Sequence, residues 1–183
     1  MKNKNRYRPM SFNEKQRIER YLTKINCAAQ QFKNKFLNKK IIYFTPKNKI
    51  EMTCSSTNFM HLCGIWYKDF GAQAFYRAAL HNKIILDKVW VKKDYSTFEK
   101  LQVIDQLDKL ISENVSLIHS GRFLYLQYDY AVRTRKKILA LTLIDINSIE
   151  VPQSLLNLKR VNNLEKGEKI LKIEIDDIDR PKL

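Results

Sequence analysis

Apolar residues Ile18, Leu22, Ile25, Ala29, Phe32 and Phe36 recur every three to four positions, with Lys15, Arg17, Lys24, Lys33 and Lys35 between them. That period predicts one long amphipathic helix ending near Asn38. Its start is marked by Ser11-Phe12-Asn13-Glu14, a spacing at which hydroxyl and carboxylate satisfy amide donors reciprocally. The same S-x-x-E spacing at Ser96 to Glu99 precedes a second helical stripe of Leu101, Ile104, Leu107, Leu110 and Ile111. Between them, residues 41–45 and 50–53 read as a hairpin around Pro46-Lys47-Asn48-Lys49. Ser55 to Asn58 supply caps for a short helix through Phe59 and Cys63 that Gly64 stops. Residues 70–80 form another helix with Asp69 as cap, and residues 84–91 are extended.

Downstream the period changes. Residues 115–118, 122–132 and 137–146 read as antiparallel strands joined by Ser120-Gly121 and by the basic turn Arg133-Thr134-Arg135-Lys136. Helices first and a meander later predict an α+β fold, with the long N-terminal helix and short helices packed on an antiparallel sheet. The expected organisation is a basic flexible arm over residues 1–10, a single α+β domain over 11–158, and an extension over 159–183 carrying one strand near 170–175. Alternation along 122–132 puts Leu124, Leu126, Tyr128, Tyr130 and Val132 on one face. Phe123, Tyr125, Gln127, Asp129 and Ala131 fall on the other. Bordered by Arg122, Arg133 and Arg135, that second face could stack bases and hold phosphates, although a solvated sheet face reads equally well.

Charge sharpens this picture. The chain carries 34 Lys and Arg against 19 Asp and Glu, a net charge of +15, which attracts polyanions such as nucleic acid. Residues 1–49 hold fourteen bases and two acids, while residues 150–183 are balanced. Lys33, Lys35, Lys39 and Lys40, with Tyr125, Gln127, Arg135 and Lys136, are therefore the candidate RNA contacts. Cys27, Cys54 and Cys63 are an odd set without C-x-x-C spacing, which predicts reduced thiols and no structural metal. No apolar run approaches a membrane span, so a cytoplasmic protein without membrane partners is expected. No phosphate-cradling glycine loop, zinc-protease motif or clustered carboxylate set stands out, and no cofactor is expected.

Metal-free RNA cleavage needs a base for the ribose 2′-OH, an acid for the departing 5′-oxygen and cations for the phosphorane. The histidines available are His61, His81 and His119. His81 reads as a charge at a helix C-terminus and His119 as a turn residue.

The run Asn58-Phe59-Met60-His61-Leu62-Cys63-Gly64-Ile65, followed by Gly71-Ala72-Gln73-Ala74-Phe75-Tyr76, resembles a phage-borne group of the barnase/EndoU/colicin/RelE-like (BECR) nucleases. The resemblance continues through residues 101–111, Tyr128-Asp129-Tyr130-Ala131 and Val151-Pro152-Gln153-Ser154-Leu155-Leu156, spanning 18–158. It implies helices packed on an antiparallel sheet and metal-independent endoribonuclease activity. The box histidine of the group corresponds to His61, and its strand motif to Tyr128, Asp129 and Tyr130. On this reading His61 is base or acid, Arg122 or Arg133 stabilises the phosphorane, and Asp129 with Tyr130 orients the partners.

Three functional readings stay open: an endoribonuclease of a phage or mobile element, an RNA-binding or effector-binding inhibitor without chemistry, and an antitoxin-like protein-interaction domain. For the first, an anti-CRISPR role is a further expectation, with guide RNA held by a CRISPR effector nuclease as substrate. Nothing in the residues selects guide RNA over other RNA, and the oligomeric state is not legible.

Overall fold

A computed structural model describes residues 4–112, 114–123, 126–136, 138–159 and 164–178. Ser11 caps helix α1 (Phe12–Glu19) as its spacing predicts: Glu14 N donates to Ser11 Oγ at 3.3 Å and Ser11 N to Glu14 Oε2 at 2.9 Å. The single long helix expected to Asn38 is instead two. The chain breaks at Arg20 and Tyr21, and α2 (Leu22–Lys35) follows. The apolar stripe crosses the break, and Ile18, Ile25, Ala29, Phe32 and Phe36 are buried. Tyr7–Pro9, within the segment expected as a flexible arm, is strand β1.

The predicted hairpin forms as β2 (Lys39–Phe44) and β3 (Lys49–Thr53). Helix α3 (Ser56–Cys63) ends on Gly64 at φ 67, and strand β4 (Ile65–Tyr67) leaves at once. Helix α4 (Gly71–Leu80) follows. Asp69 does not cap it: it takes φ 69 and receives Lys88 Nζ at 3.0 Å. The extended reading of 84–91 becomes a 3₁₀ turn (Leu86–Lys88) and strand β5 (Val89–Lys92). At α5 (Ser96–Val103) the expected capping box is absent. Tyr95 at φ 63 is the cap position, and Asp94 Oδ1 takes the Ser96 N–H and hydroxyl, leaving Glu99 exposed. The rest of the second stripe is a 3₁₀ segment, Ile104–Ile111.

The meander contains β6 (Val115–Ile118), β7 (Gly121–Phe123), β8 (Leu126–Tyr128), β9 (Tyr130–Thr134), β10 (Leu139–Ile146) and β11 (Ile149–Asn157). What reads as one strand over 122–132 is three pieces, because β7 and β8 fold back on each other and Asp129 interrupts before β9. The two-face alternation therefore does not hold throughout: Ala131 and Val132, expected on opposite faces, are both buried, while Asp129, expected on the same face as Ala131, is exposed. Tyr125 lies outside the described residues. Strand β11 was not expected. Its Pro152 sits beside a register shift opposite Thr142 and Leu143, where a missing ladder donor is tolerated.

Eight strands form the main sheet in the order β12-β6-β9-β10-β11-β3-β2-β13, with β12 at Glu168–Lys169 and β13 at Lys172–Asp177. A flat sheet of eight strands is roughly 30 Å wide, yet Lys169 and Lys172 are three residues apart, roughly 10 Å at most. The sheet must curl. Ile170 N donates to Val115 O on β6 at 3.3 Å and Leu171 N to Phe44 O on β2 at 2.8 Å, so this segment clasps the two ends together. Only one parallel bridge, Glu150 to Met52, joins β11 to β3. A separate sheet, β1-β5-β4, stands apart. One core binds these parts: Phe32, Phe59, Phe75 and Tyr76 pack ring against ring, and buried Tyr43 donates its hydroxyl to Leu110 O.

Candidate functional site

Helix α3 is held at both ends by the residues around the histidine. Asn58 Oδ1 accepts Ser55 N at 2.7 Å, and Asn58 Nδ2 donates to Pro152 O on β11 at 3.3 Å. Phe59, Met60, Leu62 and Cys63 are buried, so the helix has little freedom to rotate and His61 is left half-buried at its margin. Burial holds the His61 imidazole below its ordinary pKa, and the nearby charges of Lys100 and Lys92 push the same way. Near neutral pH the ring is uncharged and able to accept a proton.

Lys100, on α5, is 3 % exposed. Its Nζ donates to Ser154 Oγ on β11 at 2.6 Å. Burial, reinforced by Lys92, pushes its pKa down to about 7. Its stem lies against Gly64: a Cβ on that glycine would stand 2.7 Å from Lys100 Cδ and 3.2 Å from Thr97 Cα. Gly64 thus serves both a left-handed helix end and a close approach. Thr97 Oγ1 closes the corner, donating to Gly64 O at 2.6 Å and accepting Lys92 N at 2.9 Å. Lys92 is half-buried, with its pKa lowered mainly by burial, and feels the charges of Asp94 and Arg6. One imidazole and two ammonium groups are thereby gathered from α3, α5 and β5.

Sequence reasoning passed over Lys100, Lys92 and Ser154. Lys100 had a signal, since Thr97, Lys100, Leu101 and Ile104 share one helical face and a lysine on an apolar stripe is buried. Lys92 and Ser154 reach the site only through tertiary contacts.

The other predicted residues lie elsewhere. Asp129 and Tyr130 line an open cleft of about 270 Å³ with His119, Ser120 and Asp145, and His61 is not among its walls. Asp129 Oδ2 accepts Asp145 N at 2.9 Å, and the His119 and Tyr130 rings meet edge-on at 5.7 Å. Beneath this cleft Glu150, 5 % exposed, is pushed up to about 7 by burial and by Asp145 and Asp129. Two carboxylates, Asp129 and Asp145, therefore face this cleft. Arg133 is buried and ties down the following segment, donating to Leu164 O at 2.9 Å and to Glu165 O. Arg122 is exposed on β7, paired in register with Gln127.

Among the candidate RNA contacts, Lys35 stands 3.9 Å from Asp108, Lys40 stands 2.7 Å from Glu51, and Lys39 pairs with Asp177. Part of the N-terminal basic excess is therefore matched by acids from distant segments. Lys33, Gln127, Arg135 and Lys136 are exposed. Among the described residues, no group of three or more His, Cys, Asp or Glu is placed to hold a metal ion, and no helix is long and apolar enough to cross a membrane.

Helices packed against a curled, mostly antiparallel sheet give an α+β fold of the kind expected for the BECR nucleases. The chain belongs to the phage-Barnase-EndoU-ColicinE5/D-RelE like nuclease4 family, whose model matches residues 24–182. No curated protein and no solved structure matches it.

Proposed function

We propose that the protein is an endoribonuclease that works without a metal ion, and that His61 and Lys92 are its catalytic residues. The observation that carries this reading is an imidazole held neutral beside a half-buried ammonium group in a nuclease-family fold. His61 takes the proton of the ribose 2′-OH, the 2′-oxygen attacks phosphorus, and the bond from phosphorus to the 5′-oxygen breaks. Lys92 steadies the phosphorane charge and gives a proton to the departing 5′-oxygen. The products are a 2′,3′-cyclic phosphate and a 5′-hydroxyl. Lys100 is a positioning residue: it holds β11 against α5 through Ser154 and keeps His61 unprotonated.

Guide RNA bound by a CRISPR effector is the substrate we put forward for this activity, in keeping with a phage-borne family. The test incubates the protein in EDTA with free RNA and with a guide-loaded effector. Cleavage leaving cyclic-phosphate ends, lost in His61→Ala, is the expected result. Binding without cleavage, or full activity in His61→Ala, would overturn the catalytic assignment.

A further inference from the structure

The small sheet β1-β5-β4 has two unlike faces. Residues directly opposite one another across a strand pair share a face. The register pairs Tyr7 with Lys92, Pro9 with Trp90 and Trp66 with Trp90, so these five residues occupy one side. Ile65, Tyr67, Val89 and Val91 occupy the other and are buried in the core.

On the first side Trp66 and Trp90 lie directly across from each other, both half-buried, and the buried Tyr7 ring packs 6.1 Å from the Trp66 ring. Lys68 Nζ stands 5.4 Å from the centre of the Trp90 ring. Lys92 continues the same face, and Thr97 Oγ1 ties its N–H to Gly64 O, at the end of the helix that carries His61. Indole rings interleaved with ammonium groups are the arrangement that holds unpaired bases and their phosphates together. A duplex keeps its base faces stacked internally and cannot use it.

We infer that this face is a stacking platform for single-stranded RNA that delivers the strand to His61. The inference rests on the nuclease reading for its direction, but its binding step is measured separately. The chain has two tryptophans and both are on this face, so intrinsic tryptophan fluorescence reports on it alone. The probe is a short 2′-O-methyl oligouridylate, which lacks the hydroxyl nucleophile and is not cut, compared with the same strand annealed to its complement.

The expected result is saturable quenching by the single strand, much weaker for the duplex, and reduced at high salt. Trp90→Ala and Trp66→Ala should raise KM on the order of tenfold to a hundredfold with a smaller loss in kcat, and Trp90→Phe should restore most of it. Quenching without cleavage of unmodified RNA would leave the platform standing and remove the catalytic reading. Cleavage without quenching, or equal quenching by strand and duplex, would overturn the platform.

Discussion

Replacing Lys100 by methionine should make the protein more stable at neutral pH, although it removes a buried hydrogen bond. Methionine keeps the unbranched stem that packs over Gly64 and lacks the charge. A lysine titrating near 10.5 when unfolded and at about 7 when folded binds more protons unfolded throughout that interval, so its penalty is fully present below about pH 7 and is relieved as pH rises. Moving an ammonium group over this interval costs about 4 kcal/mol at pH 7 and about 2 kcal/mol at pH 9. Losing the bond to Ser154 Oγ gives back roughly 1–2 kcal/mol. Lys100→Met should therefore exceed the wild type by about 2–3 kcal/mol at pH 7, with an advantage about 2 kcal/mol smaller at pH 9. Urea denaturation of both proteins at pH 7, 8 and 9 measures this. The buried thiol Cys54, whose ionisation burial also suppresses, acts on both proteins alike and cancels in the difference, whereas the Cys63 thiol feels the Lys100 charge and cancels only in part. An advantage that does not change with pH, or a destabilised variant at every pH, would refute the reasoning.

Gly64→Ala should destabilise by roughly 1–3 kcal/mol, since it strains a left-handed position and drives a methyl into the Lys100 stem; thermal melts would show it. Glu150→Gln should gain on the order of 1–3 kcal/mol at pH 8 and little at pH 5, because the buried carboxyl with a raised pKa favours the fold below 4.5 and loses that contribution as pH climbs through about 7; paired denaturation curves at the two pH values test the sign. The cleavage rate should rise through a midpoint lower than that of an ordinary histidine as His61 loses its proton, then fall through a midpoint lower than that of an ordinary lysine as Lys92 loses its own; in Lys92→Arg the alkaline limb should disappear. Arg133→Met should speed hydrogen exchange over residues 164–170 and leave cleavage largely intact, as expected of a strut; abolished cleavage with unchanged exchange would make it catalytic.

Where one local interaction decides, the sequence announced the structure. Ser11 with Glu14, the turn after Thr45 and the stop at Gly64 each depend on groups a few residues apart. The break at Arg20 and Tyr21 was hidden because the apolar stripe keeps its phase across it. At Ser96 the expected cap lost to Asp94, two residues upstream and a stronger acceptor. Strand β11 was obscured by Pro152, Gln153 and Ser154, whose polarity makes sense only once Asn58 and Lys100 are seen to reach it. The same holds for the site. His61 was visible through its surrounding box, whereas Lys92 becomes its neighbour only when β4 and β5 pair.

The clasp at Ile170 and Leu171 also orders events in time. Strands β2 and β6, which it joins, emerge from the ribosome long before it, and domains generally form as synthesis proceeds. Until residues 168–177 follow, the wall has six strands, with β6 and β2 as its unpaired ends, and cannot close. A basic protein of a nuclease family is born within reach of its own message. Assigning closure to the segment after every other strand postpones the finished enzyme until its template has been read past that point.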